Sequence, residues 1–168
     1  MYHGEMMMTG SGPAVLNQGG FSAPIPEVVE SRFGRVKIDP RQQLYFSAGM
    51  LGMPGRTQYC LTRFPSEKMA RFKLLQSLDD ATLSFITLPV ELVNPVIGRD
   101  DLEQAAKDMG IPMGELAVLL VVTVHREMTG VRLSVNARAP VLIHTSQRAG
   151  TQYVFSHTRY QIRQALTL

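Results

Sequence analysis

"FKLLQSLDDATLSFITL", Phe72 to Leu88, reads as two apolar runs around one polar break. The runs "FKLLQS" and "TLSFITL" are rich in Leu, Phe, Ile and Thr, and Leu78-Asp79-Asp80 falls between them. Asp side chains bond nearby backbone N–H groups in tight turns, so the stretch predicts a β-hairpin. A catalytic carboxylate pair is the competing reading. Adjacent residues in a strand-to-strand turn point apart rather than converging, which disfavours it.

Further β-type runs lie on both sides: "SRFGRVKI" (Ser31 to Ile38), "QLYF" (Gln43 to Phe46) and "TQYCLTRF" (Thr57 to Phe64) before the hairpin, and "ELAVLLVVTVHRE" (Glu115 to Glu127), "GVRLSVNA", "APVLIHTS" and "GTQYVFSHTRY" after it. Asp39-Pro40, "MTG", "RAP" and "RAG" separate them as turn signals. The helix candidate is "RDDLEQAAKDM", Arg99 to Met109, with Asp100 or Asp101 as cap, an apolar stripe of Leu102, Ala105, Ala106 and Met109, and Gly110 and Pro112 beyond its end. The expected fold is mostly β, with about eight or nine short strands arranged as a small antiparallel β-barrel or a two-sheet sandwich, and one short α-helix. Residues 1–30 mix Gly, Ser, Pro and Met without period and read as a disordered tail, leaving residues 31–168 as one folded domain.

The chain of 168 residues is 45% hydrophobic, enough for one domain with a real core. Its single cysteine, Cys60, forms no internal disulfide, and no apolar run at the N-terminus suits a signal peptide or membrane span, so the expected compartment is the cytoplasm. Net charge is +3, unevenly distributed: residues 1–127 hold 12 basic and 14 acidic side chains, whereas Met128 to Leu168 holds Arg132, Arg138, Arg148, Arg159 and Arg163 and no acid. That asymmetry raises an alternative function, a nucleic-acid or anion-binding β-barrel using the arginine-bearing C-terminal third. Single-strand binding also needs aromatic platforms, and this third offers Tyr153, Phe155 and Tyr160.

Enzyme signals are weak. "SAGMLGMPGRTQY", Ser47 to Tyr59, spaces Gly49, Gly52 and Gly55 in a way that invites reading as a phosphate loop, but no Lys-Ser/Thr pair or helical stripe follows. The glycines read instead as a compact turn with positive φ. His3, His125, His144 and His157 lack the spacing of a zinc site, although His125 and His144 can meet across strands, and no Gly-x-Ser-x-Gly occurs. No catalytic residue, cofactor or metal site is expected.

Taken in order, "GMLGMPG" (Gly49 to Gly55), "LLQSLDDATLSFITLP" (Leu74 to Pro89), "VNARAP" with "VLIHT" (Val135 to Thr145) and "GTQYV" (Gly150 to Val154) resemble the flagellar assembly factor FliW family, over roughly Ser31 to Leu166. The chain departs from that family's pattern at Arg56, Ala137 and His144. The resemblance implies an antiparallel β-barrel that works by binding proteins, without cofactor or reaction. Its implied partners are newly made flagellin in the cytoplasm and CsrA, a small dimeric RNA-binding repressor of flagellin translation, exchanged one for the other. Candidate partner contacts are Met53, Arg56, Gln76, Asp79, Asn136 and Arg138, because polar or flexible side chains in turns are poor core material. For Gln76, Asp79 and Asn136 the competing reading is that they close turns and strand ends.

Overall fold

The computed structural model describes residues 25–91 and 96–166. Among them are eleven strands and one α-helix: β1 (Val28–Ser31), β2 (Gly34–Lys37), β3 (Gln43–Tyr45), β4 (Gln58–Arg63), β5 (Lys73–Ser77), β6 (Ser84–Val90), α1 (Arg99–Asp108), β7 (Leu116–Glu127), β8 (Gly130–Val135), β9 (Val141–His144), β10 (Ala149–Gln152) and β11 (Gln164–Ala165). The expected hairpin is β5–β6, with Leu75 opposite Phe85 and Gln76 opposite Ser84. Antiparallel pairing continues from β3 through β4, β5 and β6 to β7.

Between the two expected architectures, the pairing of β7 selects the barrel. Its first half bonds β6 along one edge, Val118 to Val121, and β9 along the other, Leu116 to Leu119. Strand β9 pairs β10 antiparallel, and β10 meets β3 in parallel at Ala149 and Tyr45, so seven strands form a ring. The second half of β7, from Val122, leaves the ring and pairs β8, which carries β11 on its far side. Strands β1 and β2 make a separate hairpin. Its first strand overlaps the last three residues of the expected 1–30 tail; residues 1–24 lie outside the described residues.

Alternation along each strand divides the apolar side chains between two faces. Leu44, Tyr59, Leu75, Leu119, Val141 and Ile143 come from five strands of the ring and meet in one cluster with Phe46 and Met50, filling the lumen. Gly150 of β10 stands opposite Ile143, and a Cβ there would lie 2.3 Å from Cζ of Phe46. The glycine therefore makes room for the Phe46 ring, which meets Tyr59 edge-on at 5.0 Å. On the outer face Leu88, Val118, Leu120, Val122 and Val135 pack under α1 through Leu102, Ala105 and Ala106. A third cluster places Val29, Val36 and Ile38 over Cys60 and Leu74. Burial pushes the Cys60 thiol up to about 11, so it acts as a small hydrophobe rather than a nucleophile.

Three expectations need correction. Neither Asp100 nor Asp101 caps α1: the cap position is Gly98, without a side-chain bond. Met109 is 42% exposed, because the helix ends there and Gly110, at φ +67°, turns the chain so that Ile111 N–H bonds Ala106 C=O at 2.8 Å. The run "GTQYVFSHTRY" stays in a strand only to Gln152. Beyond it Phe155 and Tyr160 leave the sheet to bury their rings in the cluster under α1, which gains more than an edge pairing of the same residues would. This strap is tied to both ends of the helix: the Tyr153 hydroxyl donates to Asp108 Oδ2 at 2.6 Å, and Tyr160 and Arg159 donate to Asp101 Oδ2.

Substituting Gly150→Ala should destabilise the protein by about 1–3 kcal/mol, as overpacking does. Gly114→Ala, which meets nothing within 4 Å, should leave the melting temperature nearly unchanged. The strap makes a pH prediction. Hydrogen bonds from Tyr160 and Tyr153 hold Asp101 and Asp108 below the usual carboxylate value of 3.8, and their contribution is present above that pH and lost as pH falls through the lower folded values. Both tyrosines are raised above 10, Tyr160 by burial and Tyr153 by its bond to Asp108, so the same contacts fail as pH rises through those folded values. Thermal unfolding of Tyr153→Phe/Tyr160→Phe against pH should show flatter acid and alkaline limbs than the unsubstituted protein.

Candidate functional site

Strand directions bring three connections to one end of the ring: β3 to β4, β5 to β6, and β8 to β9. The first of these contains the glycine turn. Gly49, Gly52 and Gly55 have φ of +69°, +78° and +83°. At Gly49 a Cβ would lie 2.5 Å from the Met53 carbonyl oxygen, so a side chain is excluded by the fold of the turn as well as by its backbone angle. Its amides are occupied internally: Gly49 N–H bonds Phe46 C=O, Met53 N–H bonds Met50 C=O, and Leu51 N–H bonds Gln152 Oε1 at 3.1 Å. They do not converge on an anion, which agrees with reading the stretch as a turn rather than a phosphate loop.

The second connection is locked to the first by Asp79. Its Oδ2 accepts from Thr57 N–H at 2.7 Å and Gln58 N–H at 2.8 Å, while Leu78 N–H bonds Gln58 C=O. Asp80 turns the other way. Its Oδ1 accepts from the Thr82 hydroxyl and N–H, and its Oδ2 faces Arg56 Nη2 at 3.6 Å. The Thr82 bonds, with help from Arg56, hold the Asp80 carboxyl below its ordinary value, so it stays charged beside the guanidinium. A hollow of about 370 Å³ lies here, lined by Gly52, Met53, Pro54, Arg56, Asp80 and Leu83. Below these groups the Tyr59 hydroxyl is buried without a hydrogen-bond partner among the described residues. Burial first, then the charge of Asp79, pushes its phenol up to about 12.

Gln152 ties in the third connection. Its Oε1 takes the Leu51 N–H and its Nε2 donates to Ala139 C=O at 3.1 Å, while Asn136 Oδ1 accepts from Ala139 N–H at 3.0 Å. All six candidate contacts lie on or just below this end, but they differ in access. Arg56 is exposed and Met53 half-buried at the rim of the hollow. Arg138 is half-buried, its backbone bonding Gln161 and Phe155. Gln76 needs correction as a surface contact: it is fully buried, and its Nε2 donates to the carbonyls of Ser77, Ala81 and Leu83, closing the hairpin from within. Asp79 is exposed and Asn136 half-buried, and each spends one side-chain oxygen, Oδ2 and Oδ1, on backbone N–H groups. Sequence reasoning missed Gln152 as the clamp between two loops, although "GTQYV" contained it, and it missed Leu83 in the hollow.

The other candidate chemistry does not assemble. His144 pairs with Leu116 at one end of β7 and His125 with Arg132 near the other, about 30 Å along the strand, so the two do not meet. Glu115 and Ser146 both face Nδ1 of His144, at 3.2 and 3.3 Å. A nucleophile and an orienting acid must bond opposite ring nitrogens, so this is not a relay. Among the described residues no group of three or more His, Cys, Asp or Glu could hold a metal ion, and no helix is long and apolar enough to cross a membrane. The C-terminal arginines are dispersed: Arg132 pairs with Glu127 at 2.8 Å, Arg159 with Asp101 at 2.7 Å, and Arg148 donates to Pro40 C=O.

The molecule is thus a seven-stranded barrel with three interlocked turns at one end and a small hollow of mixed charge between the first two. The family model described as FliW protein matches residues 27–166, and the chain belongs to that family. It is 26% identical over 147 residues to the flagellar assembly factor FliW of Leptospira interrogans, covering 83% of this chain and 92% of that protein. It is 29% identical over 132 residues to the flagellar assembly factor FliW of Magnetococcus marinus, covering 75% and 76%. A crystal structure of the flagellar assembly factor FliW matches the fold with a TM-score of 0.60 at 20% identity, over 82% of this chain and 95% of that one.

Replacing Asp79 with Ala leaves the Thr57 and Gln58 N–H groups unpaired and should cost about 1–3 kcal/mol. Chemical denaturation measures the loss, and amide exchange at Thr57 and Gln58 should accelerate more than exchange within β7.

Proposed function

We propose that the chain is a non-enzymatic flagellar assembly factor of the cytoplasm that binds flagellin through the loop end of the barrel and antagonises a CsrA-type translational regulator by partner exchange. The observation that carries the reading is the convergence of the motif-bearing turns on one end, where Met53, Leu83 and the Arg56–Asp80 pair rim the hollow. Leu51, 55% exposed on the same turn, adds apolar surface. An apolar patch with one oriented ion pair suits a protein partner: the apolar groups supply affinity and the charges set register.

Partner exchange needs no internal switch. If flagellin and the regulator compete for the protein, their relative occupancy follows concentration and affinity, and about 1.4 kcal/mol of difference in binding free energy shifts the partition tenfold at equal free partner. Arg56 is exposed at the site and stands where the family resemblance leads one to expect an aromatic. Its guanidinium can serve as an anchor in that place, since arginine and aromatic residues are both frequent interface hot spots.

Calorimetric titration with flagellin from the same organism should show binding, weakened about tenfold or more by Arg56→Glu with the melting temperature retained. Titration with the organism's CsrA should show binding that preloaded flagellin suppresses. Failure to bind either protein would contradict the proposal.

A further inference from the structure

The opposite end of the barrel carries a second surface, about 17 Å along β4 from the loop end. There Arg63 and Lys73 are direct partners across β4 and β5, so their side chains leave the same face side by side. Like charges in directly opposite positions destabilise a sheet, and neither residue forms an ion pair among the described residues. Lys37 ends β2 close by, its carbonyl held by the Thr62 hydroxyl at 3.1 Å, and it too has no carboxylate partner there.

These three cations rim a groove of about 590 Å³, with Leu61, Phe64 and Pro65 among its lining residues. The two charges that oppose or reinforce them are already engaged. Asp39 is gripped by Arg41 at 2.9 Å and Arg35 pairs with Glu30 at 2.9 Å. The connection from β4 to β5 brings Lys68 and Arg71 to the same end, against a single acid, Glu67. The groove thus combines an uncompensated positive rim with apolar walls, a combination that calls for a ligand both anionic and partly apolar.

We propose that this groove docks an extended acidic peptide segment, with interspersed apolar residues, from a partner protein. Its carboxylates would lie against Lys37, Arg63 and Lys73 and its apolar side chains against Leu61 and Phe64. A nucleic acid fits less well, because single-strand binding stacks bases on open rings, and Phe64 is already half-buried against Phe33 at 5.2 Å, which carries Arg32 over its own ring. The groove is separate from the loop end and does not depend on the function proposed for that end.

The test is fluorescence anisotropy with a labelled peptide of alternating Glu and Leu, about ten residues long so that it spans the groove when extended, beside a single-stranded RNA of the same length. The unsubstituted protein should bind the peptide more tightly than the RNA, and added salt should weaken binding. Lys73→Glu should reduce peptide affinity about tenfold or more while keeping or raising the melting temperature, since it turns the repulsive pair with Arg63 into an attractive one. Arg56→Glu at the loop end should leave peptide binding unchanged. The proposal is overturned by a peptide that does not bind, by affinity that Lys73→Glu leaves intact, or by preference for the RNA.

Discussion

Strand β7 is the member on which the architecture depends. Leu119 lies opposite Pro89 of β6 on one side and Val141 of β9 on the other, so the strand closes the ring at a point where a two-sheet sandwich would have left an edge. Closure sets the lumen at a width that Tyr59, Leu75 and Ile143 fill, with Gly150 the concession that admits Phe46. Pro89, which lacks an N–H, is tolerated because β5 has already begun at Lys73, opposite Thr87, and has no partner waiting further along. From Val122 onward the same strand leaves the ring and carries β8 and β11, so one twelve-residue element joins the barrel to the layer that covers it.

Because the ring is closed, its ends are the surfaces where connections can vary without disturbing the ladder. The loop end is stiffened by side-chain to backbone bonds that cross between connections: Asp79 to the start of β4, and Gln152 to both the glycine turn and Ala139. Such cross-bracing holds the backbone on either side of Met53 and Arg56 and would limit the ordering cost of the proposed binding. The outer face is covered differently. Helix α1 lies over the buried rings of Phe155 and Tyr160, and the strap that carries them is tied to Asp108 and Asp101 of the helix itself.

Local chemistry made part of this legible. The β5–β6 hairpin could be read because apolar runs flank an Asp pair, and α1 because its buried stripe and terminal glycine obey helical spacing. Ring closure could not be read, since the β3–β10 contact joins residues about a hundred positions apart in parallel and leaves no local signature. The strap reads as strand in the sequence because Tyr and Phe favour both a sheet and a buried cluster, and only the presence of α1 over them decides which is chosen. At the loop end the motif positions were found but their roles were not all separable. Gln76 and Arg56 are both polar turn neighbours in sequence, yet one is sealed under the hairpin and the other stands in solvent.

The central claim is that the loop end is the flagellin-binding surface, and amide hydrogen exchange with and without flagellin tests it most directly. The account predicts slower exchange on adding flagellin in residues 47–57, 78–83 and 136–140, with the groove beside Arg63 and Lys73 unaffected. Protection confined to other parts of the molecule, with these three connections exchanging as in the free protein, would contradict it.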